Sequence, residues 1–445
     1  MNNQGWLKLL PLPLRQRIEG RYTLQKMIVN TGWIFSDRLL RMGVGLFIGV
    51  WVARYLGPEG YGLLSFAGSY VMMFSAIALF GLESLVVREL VAFPDERQAV
   101  LGTAFVIRIS AGLVSLPLAV VALTLIRPDD RTTLLLVLLL SSSLVFQAVE
   151  VIDLWFQSQI ATRCVAIVRM TAFSLSSLGK MICVMMGASL IAIAWATAAE
   201  ALIVSCGLMF AYRLSGERLM LWSFSRDRFR SMFTGAVPML LSGIVFMIYL
   251  RIDQVMLGAM VSAQEMGHYA AAVRISEVWY FVPAAIITAV FPRIVTLKNS
   301  DPDVFNAKVQ QLYNLLVFLG YVIALPATLL APWIVQLLFG AAYQPAAPLL
   351  SVLIWAGVFA NLTVIRNAHF IALDWGKALL WSTSAGAATN ILLNLLLIPR
   401  WGAMGAALAT CISYWVAAHG ACLCSRSLWP AAGMITRALV YPRWW

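Results

Sequence analysis

The stretch Asn30–Ser69, NTGWIFSDRLLRMGVGLFIGVWVARYLGPEGYGLLSFAGS, decides how the rest of the chain is read. It is an apolar helical run carrying Asp37, Arg38 and Arg41, then a tight Leu-Gly-Pro-Glu-Gly-Tyr-Gly corner, then a second apolar run. An ionised side chain near the middle of a membrane helix costs at least ~2.5–3.5 kcal/mol on insertion scales. Three such residues within about one turn predict a charged lumen rather than a face toward lipid. Asp37 and Arg41 lie four apart with the acid first, the favourable order for a pair on one helix face. Arg38 points about 100° away and needs a separate partner, a lumen or a bound anion.

The surrounding composition agrees. The 445 residues are 61% hydrophobic and 12% charged, with a mean hydropathy of +0.84. A soluble domain carries about twice that charged fraction, so soluble, disordered and fibrous classes are excluded. Apolar runs near the ~20 residues that span a bilayer fall at 32–53, 63–87, 101–126, 132–153, 164–186, 190–212, 233–260, 271–294, 311–338, 348–371, 377–398 and 403–425. Alternation of the kind a membrane barrel needs is missing. The expected fold is an all-α polytopic membrane protein: about twelve transmembrane helices in two six-helix lobes.

Charge orients the chain. Its formal net charge is +12, but where the basic residues sit matters more than their sum. Placing the N-terminus inside puts about 20 Lys/Arg on the cytoplasmic side and about 4 (Arg54, Arg127, Arg131, Arg400) outside, a strong positive-inside bias. Both termini are therefore expected in the cytoplasm. The expected organisation is a basic leader over 1–31, an N-lobe over 32–212, an inter-lobe loop over 213–232, a C-lobe over 233–425 and a tail over 426–445. The leader is too short in apolar length and too proline-broken for a cleaved signal peptide. The corner Leu56–Ser69 is echoed at Leu257–Ser276, LGAMVSAQEMGHYAAAVRIS, and Ala196-Thr197 is echoed at Ala409-Thr410. That suggests two parallel repeats related by an axis along the membrane normal.

Further charges punctuate the apolar segments. Arg169 and Lys180 are eleven residues apart and share a helix face; a lumen role and snorkelling at both interfaces are equally open. Arg251 and Asp253 fall on different faces of the seventh segment, where Pro238 permits a bend. Arg274 and Glu277 have the i,i+3 spacing of a pair. Arg108, Glu150 and Glu200 add single charges, and Arg41, Arg251 and Glu200 lie deep enough for lumen or inter-helix roles. Asp153 and Arg366 read as interfacial. Asn390 and Asn394 are spaced to bridge helices. Gly45 and Gly49 form a GxxxG, a common close-packing device.

Cys164, Cys183, Cys206, Cys411, Cys422 and Cys424 read as small buried hydrophobes, and with His268, His369 and His419 scattered no metal site or cofactor is expected. No Walker A, GxSxG or HExxH is present, so a transport role is favoured over an enzyme.

The local patterns VARYLGPEGYGLLSFAGS, GLESLVVREL, DLWFQSQ, VPMLLSG, YLRIDQVMLG, MGHYAAAVRISE and NLLLIPRWGAMGAALAT, in that order and spacing, carry a resemblance over nearly the whole length. The chain resembles the Wzx-type polysaccharide flippases of the multidrug/oligosaccharidyl-lipid/polysaccharide exporter superfamily. The resemblance implies alternating access around a central cavity in a bacterial cytoplasmic (inner) membrane. The implied cargo is an undecaprenyl-diphosphate-linked oligosaccharide, delivered for O-antigen and lipopolysaccharide, capsule or exopolysaccharide synthesis. Arg38, Arg41, Arg251 and Arg274, with Lys180, become candidates for a cationic cavity. Asp37, Asp253, Glu277 and Glu200 become counter-charge or ion-coupling candidates. Membrane lipids and a polysaccharide polymerase with its chain-length machinery are the implied partners, and nucleic acid is not. A drug or cation exporter of the same superfamily would favour an acidic lumen. A lipid II flippase fits the motifs less well, and a polymerase or ligase would carry a large external loop.

Overall fold

The computed structural model describes residues 22–441, helical apart from short turns and, among the described residues, without strands. The first 21 residues of the expected leader and residues 442–445 lie outside the described residues.

Helix α1 runs Tyr22–Leu79. At 1.5 Å per residue its 58 residues would reach about 87 Å, nearly three times a ~30 Å hydrocarbon core. It is broken at Gly57, whose φ of 66° lies in the left-handed region that a Cβ disfavours. Pro58 follows, lacking an N–H for the preceding turn and suited to opening a helix. Helices α2 (Glu83–Ala92), α3 (Arg97–Ile126), α4 (Arg131–Phe146), α5 (Val151–Ser158), α6 (Thr162–Met185) and α7 (Leu190–Leu214) complete the first half. The second half comprises α8 (Arg226–Met260), α9 (Ala263–Ser276), α10 (Phe281–Ser300), α11 (Pro302–Phe339), α12 (Ala346–Ala372), α13 (Gly376–Trp415) and α14 (Trp429–Val440). Helix α13 repeats the device of α1, with Pro399 and then Gly402 at φ 53°. Among the described residues ten segments are long and apolar enough to cross a membrane. Two of these contain the breaks at Gly57 and Gly402, so the length available is compatible with twelve crossings. The protein is an all-α polytopic membrane protein.

Single 3₁₀ turns join α4 to α5 (Gln147–Glu150) and α9 to α10 (Glu277–Tyr280). Such a turn inside a long helix re-aims the side chains beyond it. Apart from α9, whose most extensive packing is against α1, the helices of each half pack mainly on one another, and the halves meet where α1 lies against α8 and α9.

At the end of the bundle near Gly57 the halves interlock through backbone. A Cβ at Gly62 would overlap the Ala263 carbonyl, and one at Gly267 would overlap the Pro58 carbonyl. The two corners that echo each other in sequence therefore pack reciprocally in space. Arg127 donates to the Gly258 carbonyl and covers the Phe66 ring, and Tyr343 Oη donates to the Ala53 carbonyl at 2.7 Å. Arg54 Nε reaches the Leu338 carbonyl at 2.6 Å.

At the opposite end the segment between the halves is strapped down. Ser225 N donates to Thr103 Oγ1 at 3.1 Å, and Ser223 N to the Gln98 carbonyl at 3.3 Å. Arg228 pairs with Glu89 and Glu96, both at 2.5 Å, and Arg97 pairs with Glu217 at 3.1 Å.

Two sequence expectations fail here. Cys164, Cys206 and Cys424 are exposed, because outward faces of a membrane bundle are as apolar as its core; all six cysteines are free thiols. Arg366, expected at an interface, is fully buried, donating to the Ala417 carbonyl in a π-helical turn at Val416–Gly420 and to Asn367 Oδ1 at 2.6 Å. A π-turn frees carbonyls from the helical ladder, which gives a buried guanidinium acceptors without a carboxylate.

Candidate functional site: a charged cavity between the halves

A cavity of about 610 Å³ opens between α1, α4, α6 and α7, closed on its far side by Met247 of α8 and Arg274 of α9. Its walls are largely apolar, with Ser75, Ser143, Gln147, Ser177 and Thr197 supplying hydroxyls and an amide, and Glu150, Lys180 and Arg274 supplying charge.

Arg274 crosses from the second half to the first. Its Nη2 donates to the Gly45 carbonyl at 2.8 Å, and a Cβ at Gly45 or Gly49 would stand 3.3–3.4 Å from the guanidinium. The GxxxG of α1 is thus a seat for an arginine rather than for another helix. The expected Arg274–Glu277 pair does not form. Glu277 opens the 3₁₀ turn after α9 and takes Arg251 Nη1 at 3.1 Å, while Arg274 reaches across to α1. Arg274 is left exposed to the cavity, and among the described residues neither it nor Lys180 makes an ion pair.

Most of the other intramembrane charges are spent on one another. Asp37 and Arg41 pair at 3.0 Å, as their spacing predicts. Arg41 also binds Glu200 at 2.9 Å and the Arg169 carbonyl at 2.8 Å, with its guanidinium 5.1 Å from the Phe173 ring centre. Arg169 holds Glu150 and Asp153, each at 2.8 Å, so Arg169 and Asp153 each face a partner inside the bundle. Arg108, buried, reaches Glu83 at 3.1 Å. Arg38 is exposed, with no ion pair among the described residues.

Asp253 lies apart from the cavity, buried in the second half. Tyr269 Oη donates to its Oδ2 at 2.5 Å and Thr410 Oγ1 at 3.2 Å, while its Oδ1 has no partner among the described residues. Nearby in sequence to Thr410, Ser413 accepts from Asn390 at 2.9 Å, and Asn394 donates to Asn390 at 2.5 Å. Sequence reasoning missed Glu150 as a cavity residue and Gly45 and Gly49 as the arginine's seat. The signal available was that Gly45 and Gly49 continue the Asp37–Arg41 face at steps of four.

Fold and site together define a class: a polytopic helical membrane protein of two halves interlocked at one end, with a cationic, hydroxyl-bearing cavity in the first half that the second half closes with Met247 and Arg274. The chain belongs to the polysaccharide biosynthesis protein family, whose model matches residues 27–298, and its fold is that of the multidrug/oligosaccharidyl-lipid/polysaccharide exporter superfamily. In sequence it is similar to two proteins of Haloferax volcanii. "Probable flippase AglR" is 29% identical over 54% of this chain and 50% of the relative. "Probable low-salt glycan biosynthesis flippase Agl15" is 24% identical over 49% of this chain and 47% of the relative. The chain spans about half the length of these curated relatives. In structure it is similar to the lipid II flippase MurJ in its inward closed conformation, at a TM-score of 0.73 and 16% identity, covering 93% of this chain and 91% of that one. It is also similar to an inward-facing multidrug resistance MATE family transporter, at a TM-score of 0.71 and 15% identity, covering 89% of this chain and 95% of that one. At these identities the structural likeness speaks of fold alone.

Proposed function

We propose that the protein is a flippase that moves an undecaprenyl-diphosphate-linked oligosaccharide from the cytoplasmic to the outer leaflet of a bacterial cytoplasmic membrane, for cell-surface polysaccharide synthesis. The observation that carries this reading is the pair of cations, Arg274 and Lys180, that face the cavity without carboxylate partners. A diphosphate is a strong acceptor for such groups, and charge-assisted bonds to it are about twice as strong as neutral ones. The hydroxyl and amide groups alongside suit the first sugars. The glycan head cannot enter hydrocarbon unaided because its polar groups would go unsatisfied, whereas the lipid tail remains in the bilayer.

In this reading the lobes 32–212 and 233–425 rock about the cavity. The basic residues place the Gly57 end outside, so the interlocked arrangement receives cargo from the cytoplasmic side. Arg41 and Arg251, with Asp37, Glu200 and Glu277, hold the cavity walls in register, and Arg38 guides anionic cargo toward it. Asp253, with one carboxylate oxygen unpartnered among the described residues and the other held by the Tyr269 and Thr410 hydroxyls, is the candidate for ion coupling. A polymerase and its chain-length machinery would receive the product.

Deleting the gene and analysing lipid-linked intermediates tests this. Complete oligosaccharide units should accumulate on the cytoplasmic leaflet. Unpolymerised units accumulating on the outer leaflet would identify a polymerase instead. Asp253→Asn should lower ion-driven flipping while leaving cargo binding intact; unchanged ion dependence would remove Asp253 from coupling.

A further inference from the structure

A second groove, of about 420 Å³, lies between the end of α10 and the start of α11 and shares no residue with the central cavity. It is lined by Val290, Arg293, Ile294 and Leu297 on one helix and by Lys308, Gln311, Leu312 and Leu315 on the other. Each set repeats at three- and four-residue steps, so two helical stripes face each other.

The cations sit at matching depth. The helices meet at Asp301; Arg293 is eight residues before it and Lys308 seven after, placing them about 12 and 11 Å from the corner. Both are exposed, and Arg293 makes no ion pair or side-chain hydrogen bond among the described residues. Lys308 Nζ donates to Gln311 Oε1 at 3.0 Å. Farther from the corner the wall is aliphatic, with Val290, Leu312 and Leu315, while Ile294 and Leu297 line the groove level with the cations and nearer the corner. The polarity is that of a lipid, with a cationic rim above and a tail-lining wall below.

Acids guard the approach from water. Asp301 and Asp303 stand at the corner, where Asp301 Oδ1 accepts from the backbone of Asp303 and Val304 at 3.2 and 3.1 Å. Lys298, the remaining cation near the corner, is taken by Asp374 at 3.0 Å. A soluble anion would have to pass these carboxylates, whereas a lipid phosphate slides in sideways along the bilayer.

We propose that this groove binds the headgroup phosphate of a resident anionic glycerophospholipid, held between Arg293 and Lys308, with its acyl chain on Val290, Leu312 and Leu315. The lipid adds a polar bridge to two helices that already share a hydrophobic core through Ile294 and Leu312.

The test uses the full-length protein, with phosphatidylglycerol and phosphatidylcholine of identical chains as probes, and reads retained lipid by native mass spectrometry. Wild type should retain phosphatidylglycerol more tightly, and the preference should fall about fivefold for each cation removed in Arg293→Gln and Lys308→Gln. Arg400→Gln, at the opposite end, should leave it unchanged. Equal retention of the two lipids, or a preference undiminished in the double variant, overturns the proposal. Displacement of phosphatidylglycerol by millimolar inorganic phosphate overturns it in favour of a soluble anion. Displacement by equimolar undecaprenyl phosphate overturns it in favour of the cargo lipid.

Discussion

Replacing Arg41 and replacing Arg274 should produce two different kinds of defect. Arg41→Ala removes the guanidinium that pairs Asp37 and Glu200 and takes a donor from the Arg169 carbonyl. Breaking a buried pair from one side costs about 3–5 kcal/mol, because the remaining charges stay desolvated. Here the three side chains keep 30%, 14% and 22% of their exposure, so solvent screens part of the penalty and the expected loss is about 2 kcal/mol. Arg274→Ala deletes one hydrogen bond, to the Gly45 carbonyl, and orphans no carboxylate; its cost is about 1 kcal/mol or less. Thermal unfolding of the purified variants, alongside flipping of a lipid-linked oligosaccharide in proteoliposomes, separates the two. Arg41→Ala should melt earlier and recover stability when combined with Glu200→Gln. Arg274→Ala should melt like wild type yet bind and flip poorly. If Arg274→Ala melts earlier while Arg41→Ala is fully stable, the division into structural and cargo-facing arginines is wrong.

Other sites give sharper single readouts. Gly45→Val should push the Arg274 guanidinium off its seat, since the first added carbon already lies 3.3 Å from Nη2; affinity for a lipid diphosphate, by titration, should fall about tenfold. Gly267→Ala should pry open the interlocked corners, because its methyl meets the Pro58 backbone rather than a flexible side chain. Labelling of a cysteine placed at the buried Ser69 by an impermeant maleimide, in a cysteine-free background, should then rise from near zero. At the α3–α4 corner, burial raises the Asp130 carboxyl, but Thr133 and Arg127 outweigh this and hold it below its usual 3.8. A depressed folded pKa stabilises above the unfolded value and is lost as pH falls through the folded one. Thermal stability of Asp130→Asn should therefore fall less than that of wild type as pH drops below about 4.

The class of the molecule was legible in its apolar run lengths, because bilayer thickness sets them. The corner at Gly57 was legible because glycine and proline act locally. Asp37–Arg41 was legible for the same reason: its partners are one helical turn apart. What could not be read were pairings that depend on how helices meet. Glu200 lies 159 positions from Arg41 and Gly45 lies 229 from Arg274, and no periodicity connects them. The Arg274–Glu277 expectation failed because each side chain found a partner on another helix, Arg274 the Gly45 carbonyl of α1 and Glu277 the Arg251 guanidinium of α8, and spacing along one helix does not register such competitors. Arg366 misled for a related reason: a cation near a segment end looks interfacial until the carbonyls of a π-turn are seen to hold it inside.

The strap between the halves has a mechanical corollary. Ser223 and Ser225 are bonded to Gln98 and Thr103, and Arg228 to Glu89 and Glu96, so the first turns of α8 travel with the first half of the protein. Relative rotation of the halves then has no slack to use in the connecting chain. If the halves rock as proposed, the bending falls inside α8 itself, where Pro238 already interrupts the hydrogen-bond ladder. Peptide continuity at Gly216 would then be dispensable. Two fragments divided there would keep their registry through the strap, and stiffening position 238 with an ordinary helix former would cost more transport than cutting the chain.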